Sequence, residues 1–191
     1  MRTLVCVLAL ICVTAGANCV TAGALAQPAP AFQADYRSEA TGSIEIGRIE
    51  FSDLVRAKAD SLGTVELARL SGYLRDDLER SLIGANWHGV AVRETVLDIT
   101  ILDVVPNRPT MQQIQEMDTV HYSAQANGGA AVSARLIDAD GRVIAEFSYG
   151  WFNPATGSGD ASGVWTDTRR AFQDFATLLA DSLGVAPGPH S

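Results

Sequence analysis

Along this chain the spacing of apolar positions changes several times, and each change marks an element. In SIEIGRIEF (43–51), Ile44 and Ile46 alternate with polar residues, as do Ile49 and Phe51, but the phase slips at Gly47-Arg48. That pattern predicts a bulged strand. Over 64–83 the period becomes helical: Leu67, Leu70, Leu74, Leu78 and Leu82 stack on one side, while Glu66, Arg69, Arg75, Asp76, Glu79 and Arg80 fill the other. Thr64 reads as the helix start and Gly84 as its stop. ETVLDITILDVV (94–105) is apolar on both phases, which predicts a central strand buried on both faces. Two prolines in PNRPT (106–110) end it, and Met111, Ile114 and Met117 mark a short helix or lid-like loop over 111–118.

Residues 130–151 read as a β-hairpin, two apolar runs around Asp138-Ala139-Asp140-Gly141. Trp165, Phe172, Phe175, Leu179 and Leu183 then give the apolar side of a last helix over 164–183, stopped by Gly184 and Pro187. The order is β-α-β followed by β-β-α. The fold class expected is α+β: a mixed or antiparallel sheet of about four strands, with two amphipathic helices packed on one face.

The ends read differently. Residues 1–26 carry one basic residue, Arg2, then the apolar run Leu4–Val13, then small residues ending in Ala24-Leu25-Ala26. This is the layout of a cleaved signal peptide, with a second cleavage position after Ala17. The apolar run falls short of the roughly 20 residues that a membrane span needs. Residues 27–42 read as a flexible leader with Phe32 or Tyr36 docked on the domain, 43–184 as a single domain, and 185–191 as a disordered tail. Periplasmic or secreted location follows as the expectation. Cys6, Cys12 and Cys19 all precede residue 27, so the mature domain is cysteine-free. Cys19 follows Asn18, with Gly16 three before it, where a lipid-attachment signal wants a small residue and a leucine. A lipid anchor is therefore not expected.

Charge narrows the partners. The formal net charge is −8, and loss of Arg2 takes it to −9. A chain this acidic lacks the basic surface that nucleic acids and anionic lipids require. The acidic balance itself reads as solubility and leaves an envelope protein as the possible partner.

The candidate chemistry is sparse. His88, His121 and His190 have no local ligand spacing, so no metal site is expected. Asp138 and Asp140 imitate the start of a calcium loop, but the glycine stands at position four, as in a hairpin turn. Asp98 and Asp103, five apart on one strand, are expected on opposite faces. No Gly-x-Ser-x-Gly elbow occurs; Ser162 in DASGVW is the nearest approach. The loop 157–163 holds Gly157, Gly159 and Gly163 before the last helix but lacks the Gly-Lys-Ser/Thr of a phosphate loop, and it reads as a mobile connector. Asp160 or Ser162 is placed to cap the helix after it. No cofactor is implied. Trp87, His88, Trp151 and Phe152 are the candidate interaction residues.

Three stretches, DITILDVVPNRPT, GGAAVSARLIDADGRVIAE and WTDTRRAFQDFATLLADSL, resemble a group of small Gram-negative envelope proteins. Many of those are predicted lipoproteins, and they are catalogued only as a domain of unknown function. The resemblance spans about residues 36–183 and departs at the lipid-attachment cysteine. It implies an exported α+β domain that works by binding and supplies no catalytic residues to carry over. The function expected is thus an envelope accessory or binding protein, not an enzyme. The alternative is a periplasmic hydrolase-like enzyme using His88 and His121 or the loop 157–163.

Overall fold

The structure is a computed structural model that describes residues 32–38, 43–82, 95–116, 124–154 and 163–184. Five strands form one open mixed sheet: β1 (Gln33–Tyr36), β2 (Ile44–Phe51), β3 (Thr95–Val105), β4 (Gly129–Ile137) and β5 (Val143–Phe152), in the order β1-β5-β4-β3-β2. Only the β2–β3 pairing is parallel; the other three are antiparallel. The described helices are α1 (Asp53–Ala57), α2 (Ala59–Leu62), α3 (Thr64–Leu82), α4 (Met111–Glu116) and α5 (Thr166–Ser182).

The leucine stripe of α3 and the Phe172, Phe175 and Leu179 stripe of α5 bury against Leu97, Ile99 and Ile101 of β3, Val132, Ala134 and Leu136 of β4, and Phe147 of β5. Each fully buried Leu or Phe contributes about 1.5–3 kcal/mol by leaving water. The α+β class and the two helices packed on one face are as the periodicity predicted.

Three expectations need correction. The segment read as a leader supplies a fifth strand, since β1 pairs with β5 from Gln33 opposite Ser148 to Tyr36 opposite Ala145. The Tyr36 ring meets Phe147 edge-on at 5.6 Å, and its hydroxyl donates to the Ser182 carbonyl of α5 at 2.7 Å. Second, β3 buries one face, not two: Leu97, Ile99, Ile101 and Val104 point to the helices, while Asp98 and Thr100 are half-buried and Leu102 is exposed. The both-phase apolar pattern has a local cause. The register shifts between Ile101 and Asp103, so a bulge brings Val104 back to the core side. Third, that bulge puts Asp98 and Asp103 on the same face, opposite Arg135 and Ala131, four apart on β4.

The slip in β2 is a bulge as predicted, between Ile46 and Ile49. It exists to seat Asp98, whose carboxylate accepts from the Arg48 backbone N–H at 3.0 Å and from its guanidinium at 3.1 Å. A Cβ on Gly47 would lie 2.4 Å from that carboxylate. Burial alone raises the Asp98 pKa, but the bonds and charge of Arg48 outweigh it and hold the group below its usual range. On the sheet's outer edge Arg75 of α3 covers the bulge carbonyls, donating to Gly47 at 2.8 Å. A cation placed there protects an edge strand from pairing with another chain. The hairpin turn is held by Asp138, whose carboxylate accepts from the N–H groups of Asp140 and Arg142 at 2.9 Å each and from the Arg142 guanidinium. The DADG motif is thus a turn, its first carboxylate already engaged.

Candidate functional site

The C-terminal ends of β3 and β5 and the start of β4 meet the N-terminus of α5, and a buried polar cluster ties them together. Asn107, just beyond β3, accepts from the Asp167 N–H through its side-chain oxygen at 2.8 Å, while its amide donates to the Asp167 carboxylate. Asn153 donates to the same carboxylate oxygen at 3.1 Å. Thr168 donates to the Gly129 carbonyl at 3.0 Å. Asn107, Asp167 and Thr168 are all buried. The first turn of α5 is therefore capped from sixty residues away. Trp165 occupies the N-cap position with no side-chain cap bond; Asp160 and Ser162, the caps expected from sequence, lie outside the described residues.

This framework orients a groove of about 520 Å³ between α3 and the start of α5, walled by Glu66, Arg69, Tyr73, Trp165, Arg169 and Gln173. The volume lies in the range of small-ligand sites. Glu66 organises one wall, accepting from the Trp165 indole N–H at 2.7 Å and from Arg69 at 2.8 Å. On the other wall the Arg169 guanidinium lies over the Tyr73 ring, 4.4 Å from its centroid. Among the described residues its guanidinium makes no hydrogen bond; it lines the groove, and its charge reaches Asp77. Stacking fixes a guanidinium's plane and leaves its edge free for a planar acceptor such as a carboxylate. Thr166 adds a hydroxyl, itself bonded to Gly163.

One turn along α3, Asp77 is buried against Arg80, and its Oδ2 has no partner. Burial pushes its pKa up, and the charges of Arg80 and Arg169 pull it part of the way back. Beneath α5, burial and the neighbouring Asp174 push the Tyr149 hydroxyl up to about 12. A smaller cleft of about 240 Å³ lies beyond the end of β3, walled by Val105, Pro106, Pro109 and Ala124.

Of the candidates read from sequence, Trp87 and His88 lie outside the described residues, as do His121, His190 and all of the loop 157–163 except Gly163. Trp151 packs part-buried against the core with the Arg170 guanidinium 5.2 Å from its ring. Phe152 is half-buried against Gly129, where an added Cβ would sit 2.7 Å from its ring and 2.5 Å from its Cα. The groove residues Arg169 and Tyr73 carried no sequence signal. They stand 96 positions apart, Tyr73 part-buried on the flank of the α3 stripe and Arg169 exposed on α5. Among the described residues no group of three or more His, Cys, Asp or Glu side chains converges as a metal site, and no helix is long and apolar enough to cross a membrane.

No protein-family model matches the chain, and no curated protein matches it. Among solved structures it is similar to the PelC dodecamer of Paraburkholderia phytofirmans in two crystal forms. In the first, 10% of residues are identical over 81% of this chain and 97% of that one, at a TM-score of 0.42. In the second, 9% are identical over 83% and 99%, at 0.40. It is also similar to protein XCC0632 from Xanthomonas campestris, 14% identical over 77% of this chain and 86% of that one, at 0.45. XCC0632 is a DUF330 protein, DUF330 being a domain of unknown function.

Proposed function

We propose that this chain is an exported cell-envelope module that works by holding a ligand or protein partner in the α3–α5 groove, without chemical turnover. Export rests on the arrangement of residues 1–26. The binding role rests on one observation: the Arg169 guanidinium lies over the Tyr73 ring and, among the described residues, makes no hydrogen bond, in a groove whose other wall is fixed by the Glu66–Trp165 bond. A guanidinium keeps its charge at any physiological pH and transfers no proton. Such a group recognises; it does not act as an acid or a base.

The test joins two measurements on the purified chain. Immobilised protein is expected to retain an envelope component that Arg169→Ala loses, with thermal melting confirming that the variant is folded. A panel of ester, peptide and glycan substrates is expected to pass through unchanged. Turnover of any of these, together with retention that ignores Arg169, overturns the reading.

A further inference from the structure

The sheet face turned away from the helices carries a charge pattern that matches itself. In one row across β5, β4, β3 and β2 stand Glu146, Arg135, Asp98 and Arg48, in alternating sign, with Asp35 of β1 beside Glu146 at the far edge. The next row is short in the middle: Ser148, Ser133 and Thr100, between Gln33 and Glu50. Beyond it lie Gly150, Ala131 and Asp103, whose carboxylate takes the Lys58 ammonium at 2.6 Å. From this arrangement we infer that the open face is an interface with a second copy of this chain, through a two-fold axis running along the strands between β3 and β4.

Rotation about that axis lays β4 over the partner's β3 and β5 over the partner's β2. The four charges on β2 to β5 then meet their opposites, Arg135 over Asp98 of the partner subunit and Glu146 over Arg48 of the partner subunit, while Asp35 of β1 lies outside the overlap. The same two contacts recur with the roles exchanged, as a two-fold interface demands. Asp98 is largely covered by Arg48, so the exposed outer pair is the stronger contact; the Arg48 side chain is 74% exposed and that of Glu146 42%. The short middle row lets two sheets approach at the spacing of about 10 Å that packed sheets adopt. Leu102, exposed on the same side of β3, adds apolar area. Four strands of eight to eleven residues give roughly 600 Å² a copy, at the lower edge of what a stable dimer buries. The association is therefore weak and salt-sensitive.

This surface lies on the opposite side of the sheet from the groove, so the inference stands apart from the binding role proposed above. Sedimentation velocity of the purified chain over about 1–200 μM, at low and high salt, reads it. Self-association in that range is expected, weakened at least tenfold by high salt. Arg48→Glu and Glu146→Arg each place like charges opposite one another and are expected to be monomeric. Mixed in equal amounts they restore dimers, because each substituted side chain then meets a partner of opposite sign. Arg135→Glu, at an exposed position with no hydrogen bond to lose, is a second single variant that separates the two explanations if Arg48→Glu disturbs the β2 bulge. A chain that is monomeric throughout the range, or dimers that persist in both variants, or a mixture of the two that stays monomeric, overturns the inference.

Discussion

Asp77 is the residue whose environment sets the sharpest expectation. An acid with a folded-state pKa above its ordinary value binds its proton more tightly when folded, so its charged form costs stability above that pKa. The cost fades as pH falls toward the ordinary carboxylate value. Asp98 and Asp138 behave oppositely: both are held below their usual range, so their contribution is present at neutral pH and lost only in stronger acid. Thermal melts taken from neutral pH down toward the ordinary carboxylate range should therefore show a contribution from Asp77 that rises on acidification and is absent in Asp77→Asn. A variant with the wild-type pH profile would place the cause elsewhere. Asn107 makes the second residue-scale prediction. Truncation to alanine leaves the Asp167 carboxylate and N–H short of partners, and a buried polar group left unsatisfied costs about 1–3 kcal/mol. Urea unfolding of Asn107→Ala measures it. Gly129 sits at φ +157, and a Cβ there would lie 2.4 Å from the Trp151 carbonyl; Gly129→Ala should destabilise by a similar ~2 kcal/mol, since neither backbone can yield cheaply.

At the scale of elements, β1 is the piece whose attachment is most exposed to test. It pairs with only four residues of β5 and is fixed at its end by the Tyr36–Ser182 bond and the Arg37–Glu146 ion pair. Tyr36→Ala should raise hydrogen-exchange rates at the β5 amides paired with β1 and leave those of β3 unchanged. Equal effects on both would mean that β1 and the rest of the sheet open as one unit. The ease of reading this fold from its sequence follows the range of the interactions. The α3 and α5 stripes, the hairpin around Asp138 and the slip at Gly47-Arg48 are written in neighbouring residues, and all of them stand in the structure. By contrast, β1 is four residues long and its partner lies more than a hundred positions away, so its own composition resembles a leader. The Leu102 bulge moved Val104 to the core side and made a half-buried strand look fully buried. The cap of α5 comes from Asn107, which no pattern local to residues 160–166 could reveal.

At the scale of the whole molecule, the described residues form two layers, a sheet with the long helices on one side and no described helix on the other. Its candidate site, the groove, arises where the helical layer meets the polar cluster at the sheet's end. It was illegible in sequence because Arg169 and Tyr73 look like ordinary solvated helix residues until packing brings the helices together. Arg169→Ala should cost only about 0.5–1 kcal/mol of stability, the usual size of an exposed cation–π contact, while removing most of the affinity for whatever the groove holds. The most direct test of that central claim is photocrosslinking in living cells from Gln173, on the groove wall, against Asp140, exposed in the distant hairpin turn. The account predicts a discrete envelope adduct from position 173 that is lost when Arg169 is alanine, and none from position 140. Adducts that form equally from both positions, or that are indifferent to Arg169, would contradict it.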